Sequence, residues 1–364
     1  MITCRAPGKL FIVGEYAVVE PGHHAVLTAV DRYATATVVE ADDEITTLHS
    51  ELDGGVTLSC GRIGDGLVPS DGVVPPNFSY VFAAAAIIDR LLVERGIGAH
   101  SYRLSISTDL ADADGRKLGL GSSAAVTVAT VAALGRFYRL DLSPMDRYRL
   151  AMLATVSINP RASGGDVAAS TWGGWIAYSS PDRQQVSELV GESGVDAALR
   201  APWPGLSVRP LPTPTGLAMQ VGWTEKPAST PTLVAGLRDS YRQLGAHAEF
   251  VSRSDDCVQR LVAALEADDS LGIRTEIHCA RELLIDLDTV AQLGIMTPPL
   301  RALCAAGAAV GAAAKPSGAG GGDCGIALID RTRSAAITEL THRWITAGIR
   351  PLALRTHPFE EDRR

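Results

Sequence analysis

One nine-residue stretch restricts the fold of this chain more than any other: Lys117-Leu118-Gly119-Leu120-Gly121-Ser122-Ser123-Ala124-Ala125. Before it, Tyr102 to Thr108 alternates polar and apolar residues as a strand does. After it, residues 122–138 are rich in Ala and Val and read as a helix, with Ser122 or Ser123 as the cap. A strand that enters a helix through two glycines leaves a concave backbone facing a helix start. Gly119 and Gly121 let that backbone wrap an anion, and the first N–H groups and the helix dipole favour negative charge there. Ser122 and Ser123 add hydroxyls, and Ser122 can ligate Mg²⁺ through its oxygen. Lys117 adds a positive charge. The lysine does not follow the glycines as in a Walker loop, and the dinucleotide spacing is absent. Taken alone, the segment also suits a plain tight turn with a serine cap.

Two more glycine-rich segments flank it. Ala6-Pro7-Gly8-Lys9 opens an apolar run and is followed by Gly14-Glu15-Tyr16. Lys315-Pro316-Ser317-Gly318-Ala319-Gly320-Gly321-Gly322-Asp323-Cys324-Gly325 lies near the other end. So much glycine costs backbone entropy unless something must approach the chain closely, although a flexible hairpin has the same composition. A fourth patch, Ser163-Gly164-Gly165-Asp166, precedes a short helix-like run, where Asp166 suits either an N-terminal cap or a catalytic carboxylate. Only four of the 33 basic residues are lysine, and Lys9, Lys117 and Lys315 fall in the three glycine-rich segments. That placement suits a compact ammonium rather than a planar guanidinium. Lys226 lies outside them.

The remaining composition sets limits. A chain of 364 residues exceeds one ordinary core, so two domains are expected, divided as 1–190 and 191–364. The net charge of −8, with no basic cluster, argues against a nucleic-acid partner. The apolar run 302–314 is too short and too rich in Ala and Gly to span a bilayer, so no membrane partner is expected. No secretory signal is evident, and the scattered Cys4, Cys60, Cys257, Cys279, Cys304 and Cys324 suit reduced thiols in the cytoplasm. Strands are expected at 10–19, 34–40, 56–60, 171–179, 217–223 and 350–354. Helices are expected at 79–95, 144–156, 163–170, 246–267, 271–293, 298–310 and 332–347. A further helix opens at Thr230-Pro231, a hairpin covers 312–329, and residues 61–76 and 181–214 read as loop.

The three segments, in this order and spacing over nearly the whole chain, resemble the signature motifs of the GHMP kinases. Within that family several features are similar to the phosphomevalonate kinase branch. They are Tyr16 where mevalonate kinases usually carry His, the stretch 163–180, and Gly222-Trp223-Thr224 with Pro227-Ala228-Ser229-Thr230. The resemblance implies an α+β fold of two domains. The N-terminal one would be like ribosomal protein S5 and the C-terminal one ferredoxin-like, with the site in the cleft between them.

It also implies roles. Lys117, Gly119, Leu120, Gly121, Ser122, Ser123 and Ala124 would bind ATP. Glu15, Tyr16, Ser163, Gly164, Gly165, Ser317, Gly318, Ala319 and Gly320 would meet the second substrate. Lys9 and Asp166 would face each other at the reacting centre. Mevalonate kinases hold Mg²⁺ with a glutamate about eleven residues before the aspartate. Here Thr155 stands near that place, which leaves Ser122, the phosphates and water to hold the metal. The implied reaction converts ATP and 5-phosphomevalonate to ADP and 5-diphosphomevalonate. Mevalonate phosphorylation, diphosphomevalonate decarboxylation and a non-catalytic sensor are the alternatives, and a homodimer is left open.

Overall fold

Runs of Val, Ile, Thr and Ala that alternate in burial build two long strands at the start of the chain. β1 (Ile2–Val13) pairs antiparallel with β2 (His24–Glu40), from Ile2 opposite Val38 to Val13 opposite Val26. The computed structural model describes residues 1–42, 44–51, 55–63, 66–226, 233 and 247–360. β1 begins and ends earlier than the expected strand at 10–19. Gly14 at φ +94° and Tyr16 at φ +65° turn the chain, and Ala17–Val19 closes as a single 3₁₀ turn. The register of β1 slips between Pro7 and Gly8, just before Lys9.

β2 is long enough to serve two neighbours. Residues 34–40 pair with β6 (Tyr102–Thr108), and residues 24–28 pair with β7 (Trp175–Ser179). β3 (Thr46–Ser50), β4 (Val56–Ile63), β5 (Gly66–Pro69) and β8 (Ser207–Leu211) complete the sheet in the order β5-β4-β3-β6-β2-β7-β8, with β1 on β2. Against it pack α1 (Ser79–Glu94), α2 (Ser122–Phe137) and α4 (Gly165–Trp172), and α3 (Pro144–Ile158) lies on these helices. Every residue of α2 from Ala124 to Gly135 is buried. Its small side chains let the sheet on one side and α1, α3 and α4 on the others approach closely, as a fully enclosed helix requires. By length and apolarity the helical stretch Pro76–Glu94 would suffice to cross a bilayer, a feature the sequence reading did not raise. Its Val81, Ile88, Leu91 and Leu92 are buried in this core instead.

The expected loop at 181–214 holds α5 (Arg183–Ser193), α6 (Val195–Arg200) and β8. Its prolines fit these elements: Pro202 and Pro204 follow α6, and Pro210 sits on an edge strand, where a missing donor is tolerated. Asp182 caps α5 by accepting from Gln184 N and Gln185 N. The division expected at 190/191 therefore falls inside α5, and the chain still belongs to the first sheet at Leu211. We propose the boundary at 212–216 instead, before β9 (Leu217–Trp223) enters the second sheet. The loop at 61–76 is likewise shortened by the end of β4 and by β5.

The second lobe is a four-stranded antiparallel sheet in the order β10-β11-β9-β12, formed with β10 (Ala313–Pro316), β11 (Cys324–Asp330) and β12 (Arg350–Leu352). It carries α7 (His247–Glu266), α8 (Ser270–Ala291), α9 (Pro298–Ala309) and α10 (Ser334–Thr346). Trp223 and Trp344 are fully enclosed there. Helices and mixed sheets in two lobes are the α+β architecture expected from the sequence. The helix start at Thr230-Pro231 and the stretch Pro227-Ala228-Ser229-Thr230 lie outside the described residues.

Candidate active site

The three glycine-rich segments meet at one cleft of about 500 Å³. Their contacts explain why. Lys9 N donates to Leu120 O at 2.9 Å, tying β1 to the central loop. Ser317 Oγ donates to Phe11 O at 2.9 Å, and Tyr16 Oη donates to Ala319 O at 2.5 Å, tying the third segment to the first. Cys324 Sγ donates to Leu118 O at 3.0 Å, joining the third segment to the second. The three bonds made by the third segment each span more than two hundred residues, so the cleft depends on both lobes.

The helix behind the central loop starts at Ser122, but its cap is Gly121 in the left-handed region at φ +77°, not either serine. No side chain caps α2, and Gly121, Ser122, Ser123 and Ala124 line the cleft. A helix leaves its first four N–H groups without intrahelical partners, and here an anion in the cleft can take them. A side chain at either loop glycine would be strained. At Gly119 (φ +75°) a Cβ would lie 2.5 Å from Asp323 Cβ, and at Gly121 it would press on the Lys9 stem, 2.9 Å from Cε. α4 repeats the arrangement: left-handed Gly164 precedes it, no side chain caps it, and Asp166 stands in its first turn.

Lys9 is 8% exposed and lines the cleft, with its ammonium 5.5 Å from the Phe11 ring centroid. Among the described residues no carboxylate lies within 4.0 Å of it. It therefore does not pair directly with Asp166, although both line the same space. Asp166 Oδ1 accepts from Val167 N at 3.0 Å. Burial raises the Tyr80 phenol, and the Asp166 charge raises it further.

Lys315 has a different place from the one its motif suggests. It is fully buried, and its ammonium donates to Glu15 Oε1 and, at 2.6 Å, to Pro316 O. Gly318 N donates to the same Glu15 oxygen at 3.3 Å. Glu15 lines the cleft, yet its charge is met from behind by Lys315. Burial raises the Tyr16 phenol strongly, so its hydroxyl remains a donor to the third segment.

Lys9, Asp166, Lys117, Gly119, Leu120, Gly121, Ser122, Ser123, Ala124, Glu15, Tyr16, Ser163, Gly318 and Ala319 thus share the cleft wall. Gly164, Gly165, Ser317 and Gly320 do not. A Cβ on Gly164 would meet Met152 and Tyr178, and one on Gly165 would meet Leu27 and Phe11. Gly320 packs on the Ile295 main chain, and the Ser317 hydroxyl is taken by Phe11 O. These four shape the wall from behind. Sequence reasoning missed Tyr80, Asn159, Arg161 and Asp323 as lining residues. Only Asp323, inside the third glycine run, carried a local signal.

Two helix starts without a side-chain cap, an ammonium buried and unpaired among the described residues, and glycine loops suit the transfer of a phosphoryl group. The family descriptions "GHMP kinases N terminal domain" and "GHMP kinases C terminal" match residues 79–174 and 261–345, and the chain belongs to the GHMP kinases. It is 51% identical over 363 residues to the phosphomevalonate kinase of Streptomyces sp. (strain CL190), covering 97% of this chain and 96% of that protein. The crystal structure of the Lin0012 protein from Listeria innocua superposes with a TM-score of 0.90 at 32% identity, covering 99% and 98% of the two chains. Streptococcus pneumoniae phosphomevalonate kinase, solved in complex with phosphomevalonate and AMPPNP, superposes with a TM-score of 0.85 at 30% identity, covering 98% and 100%.

Proposed function

We propose that this chain transfers the terminal phosphoryl group of ATP to the phosphate of 5-phosphomevalonate, giving ADP and 5-diphosphomevalonate. The observation that carries the reading is Lys9: buried, unpaired among the described residues, and bonded through its main chain to the glycine loop at the start of α2. The similarity to the Streptomyces phosphomevalonate kinase over almost the whole length supports the choice of acceptor. The streptococcal complex with AMPPNP, an ATP analogue, supports the choice of donor.

Phosphoryl transfer is mostly positioning and charge neutralisation. The acceptor phosphate has a second pKa of about 6 and is largely ionised at neutral pH, so it needs no strong base. In this reading the N–H groups of 121–124 cradle the ATP phosphates. The Lys9 ammonium bridges donor and acceptor and stabilises charge as it moves onto the oxygens. Asp166 orients Lys9 and the acceptor from the wall of the same cleft, not by direct pairing. Tyr16, held on Ala319, and the backbone at 318–319 close the acceptor side.

Mg²⁺ fits a site with few protein ligands. Ser122 offers a hydroxyl beside the uncapped helix start, while the Thr155 hydroxyl donates to Ala151 O at 2.8 Å. Mg²⁺ keeps several waters and takes substrate phosphates readily, so Ser122, phosphate oxygens and water form a suitable set. When bound, the ion neutralises phosphate charge. The six cysteines, none of them in a disulfide, support a reducing compartment such as the cytoplasm. Assaying the purified protein with each acceptor separately tests the reading. Phosphomevalonate should be turned over and mevalonate should not; faster turnover of mevalonate would overturn it.

A further inference from the structure

Away from the cleft, α7 and α8 bring two thiols and a carboxylate together. Cys257 comes from α7, while Glu276 and Cys279 lie one turn apart on the same face of α8. The two Sγ atoms and a Glu276 carboxylate oxygen all lie within 4.8 Å of one another. None of the three lines the catalytic cleft. Cys257 is 1% exposed and Glu276 7%, whereas Cys279 is half-buried and opens a path from solvent.

We propose that Cys257, Cys279 and Glu276 form a binding site for a soft divalent cation of the Zn²⁺ class, separate from the Mg²⁺ used in catalysis. Zn–S bonds of about 2.3 Å place two tetrahedral sulfur ligands about 3.8 Å apart. With no separation above 4.8 Å, the two sulfurs need to approach by at most about 1 Å to reach that spacing. Two thiolates and one carboxylate leave a fourth position for water at the open side, beside Cys279.

Charge and second-shell geometry agree. Arg260 Nε donates to Glu276 Oε1 at 2.8 Å and Nη2 to Oε2 at 3.0 Å. Nη2 also lies 3.6 Å from Cys279 Sγ. With both thiols protonated, Arg260 and Glu276 sum to zero. Exchanging two thiol protons for one divalent cation keeps that sum at zero, so the buried site gains no net charge. One Glu276 oxygen can ligate while Arg260 holds the other, the kind of outer partner that fixes a ligating carboxylate. Arg260 is 53% exposed along its side chain and free to adjust. Soft sulfur donors discriminate against Mg²⁺, which prefers oxygen.

The test uses the whole chain, reduced and stripped with chelator, titrated with Cd²⁺. A thiolate-to-metal charge-transfer band should saturate at one equivalent with release of two protons per ion. Zn²⁺ should compete for the site and raise the thermal midpoint. Cys257→Ala and Cys279→Ser should each abolish the one-equivalent band, while Cys60→Ser and Cys304→Ser leave it intact. Glu276→Gln should weaken binding by about tenfold or more while the sulfur band persists. The proposal is overturned if the band survives in the Cys257→Ala/Cys279→Ser double variant, if no one-equivalent saturation occurs, or if the two cysteines form a disulfide in place of binding metal.

Discussion

Glu15 and Lys315 allow a sharp test of how the third glycine segment is held. Both side chains are nearly or fully inaccessible, at 3% and 0%, and they join elements 300 residues apart. Glu15→Gln keeps the shape and one acceptor oxygen but removes the negative charge. The Lys315 ammonium is then left in the interior with only Pro316 O and a neutral amide. Breaking a buried pair in this way typically costs about 3–5 kcal/mol, and the retained acceptor places this case near 3. With a urea m-value of about 3 kcal/mol/M, the midpoint should fall by roughly 1 M. The loop should suffer too, because Gly318 N shares the same Glu15 oxygen, so KM for the acceptor should rise. Removing both charges with Glu15→Gln/Lys315→Met should recover most of the lost stability, since no unpaired charge remains. Urea denaturation of the two variants and steady-state kinetics measure this. A loss below about 1 kcal/mol for Glu15→Gln, or a double variant no more stable than the single, would refute the reasoning.

Lys9→Ala should lower kcat by about 10²- to 10⁴-fold, and Asp166→Asn should lose turnover nearer the low end with little change in acceptor KM; the acid limb of the wild-type profile should track ionisation of the acceptor near pH 6. If Asp166→Asn abolishes turnover while Lys9→Ala stays active, the acceptor is an alcohol and Asp166 its base. Gly119→Ala should cost about 1–3 kcal/mol and raise KM for ATP, because the new methyl combines left-handed strain with a clash at Asp323; unchanged melting and KM would count against the loop geometry. Lys226→Ala should change activity only a few-fold, since Lys226 meets the third segment through its main-chain oxygen, which accepts from Asp323 N at 2.7 Å; a loss matching that of Lys9→Ala would place its ammonium on a substrate phosphate.

The central loop was legible because its backbone demands are local. Two left-handed positions and an uncapped helix start need glycine at 119 and 121 whatever the rest of the chain does. Even there the cap was misplaced: Ser122 has the composition of an N-cap but lies one residue inside the helix, because Gly121 makes the turn. Lys315 shows where local reading stops. A lysine beside Pro and Gly looks the same whether its ammonium meets a phosphate or a buried glutamate, and Glu15 is too far away in sequence to reveal the pairing. Arg161 and Asn159 reach the cleft from the connection between α3 and α4, where no periodicity or glycine marks them. The proline-rich stretch at 181–214 read as loop because proline signals irregular backbone. Proline also tolerates helix ends and sheet edges, and the structure uses it there.

The placement of the two buried lysines also accounts for how a chain of net charge −8 can receive two highly anionic substrates. The overall field opposes them, so attraction has to be made inside the cleft. Each of the two helix starts contributes roughly half a positive charge near its tip. Lys9 adds a full charge in surroundings where water screens little, and Lys117 and Arg161 stand at the cleft wall. Glu15 would offset much of this if it were unpaired. Lys315, approaching from the protein side, cancels it without occupying substrate space. In the proposed reaction one lysine meets the substrates, and the other neutralises one of the carboxylates that line the cleft. That division predicts opposite signatures. Losing Lys9 should reduce turnover with the fold intact, whereas losing either member of the Glu15–Lys315 pair should appear first as lost stability and a displaced third loop.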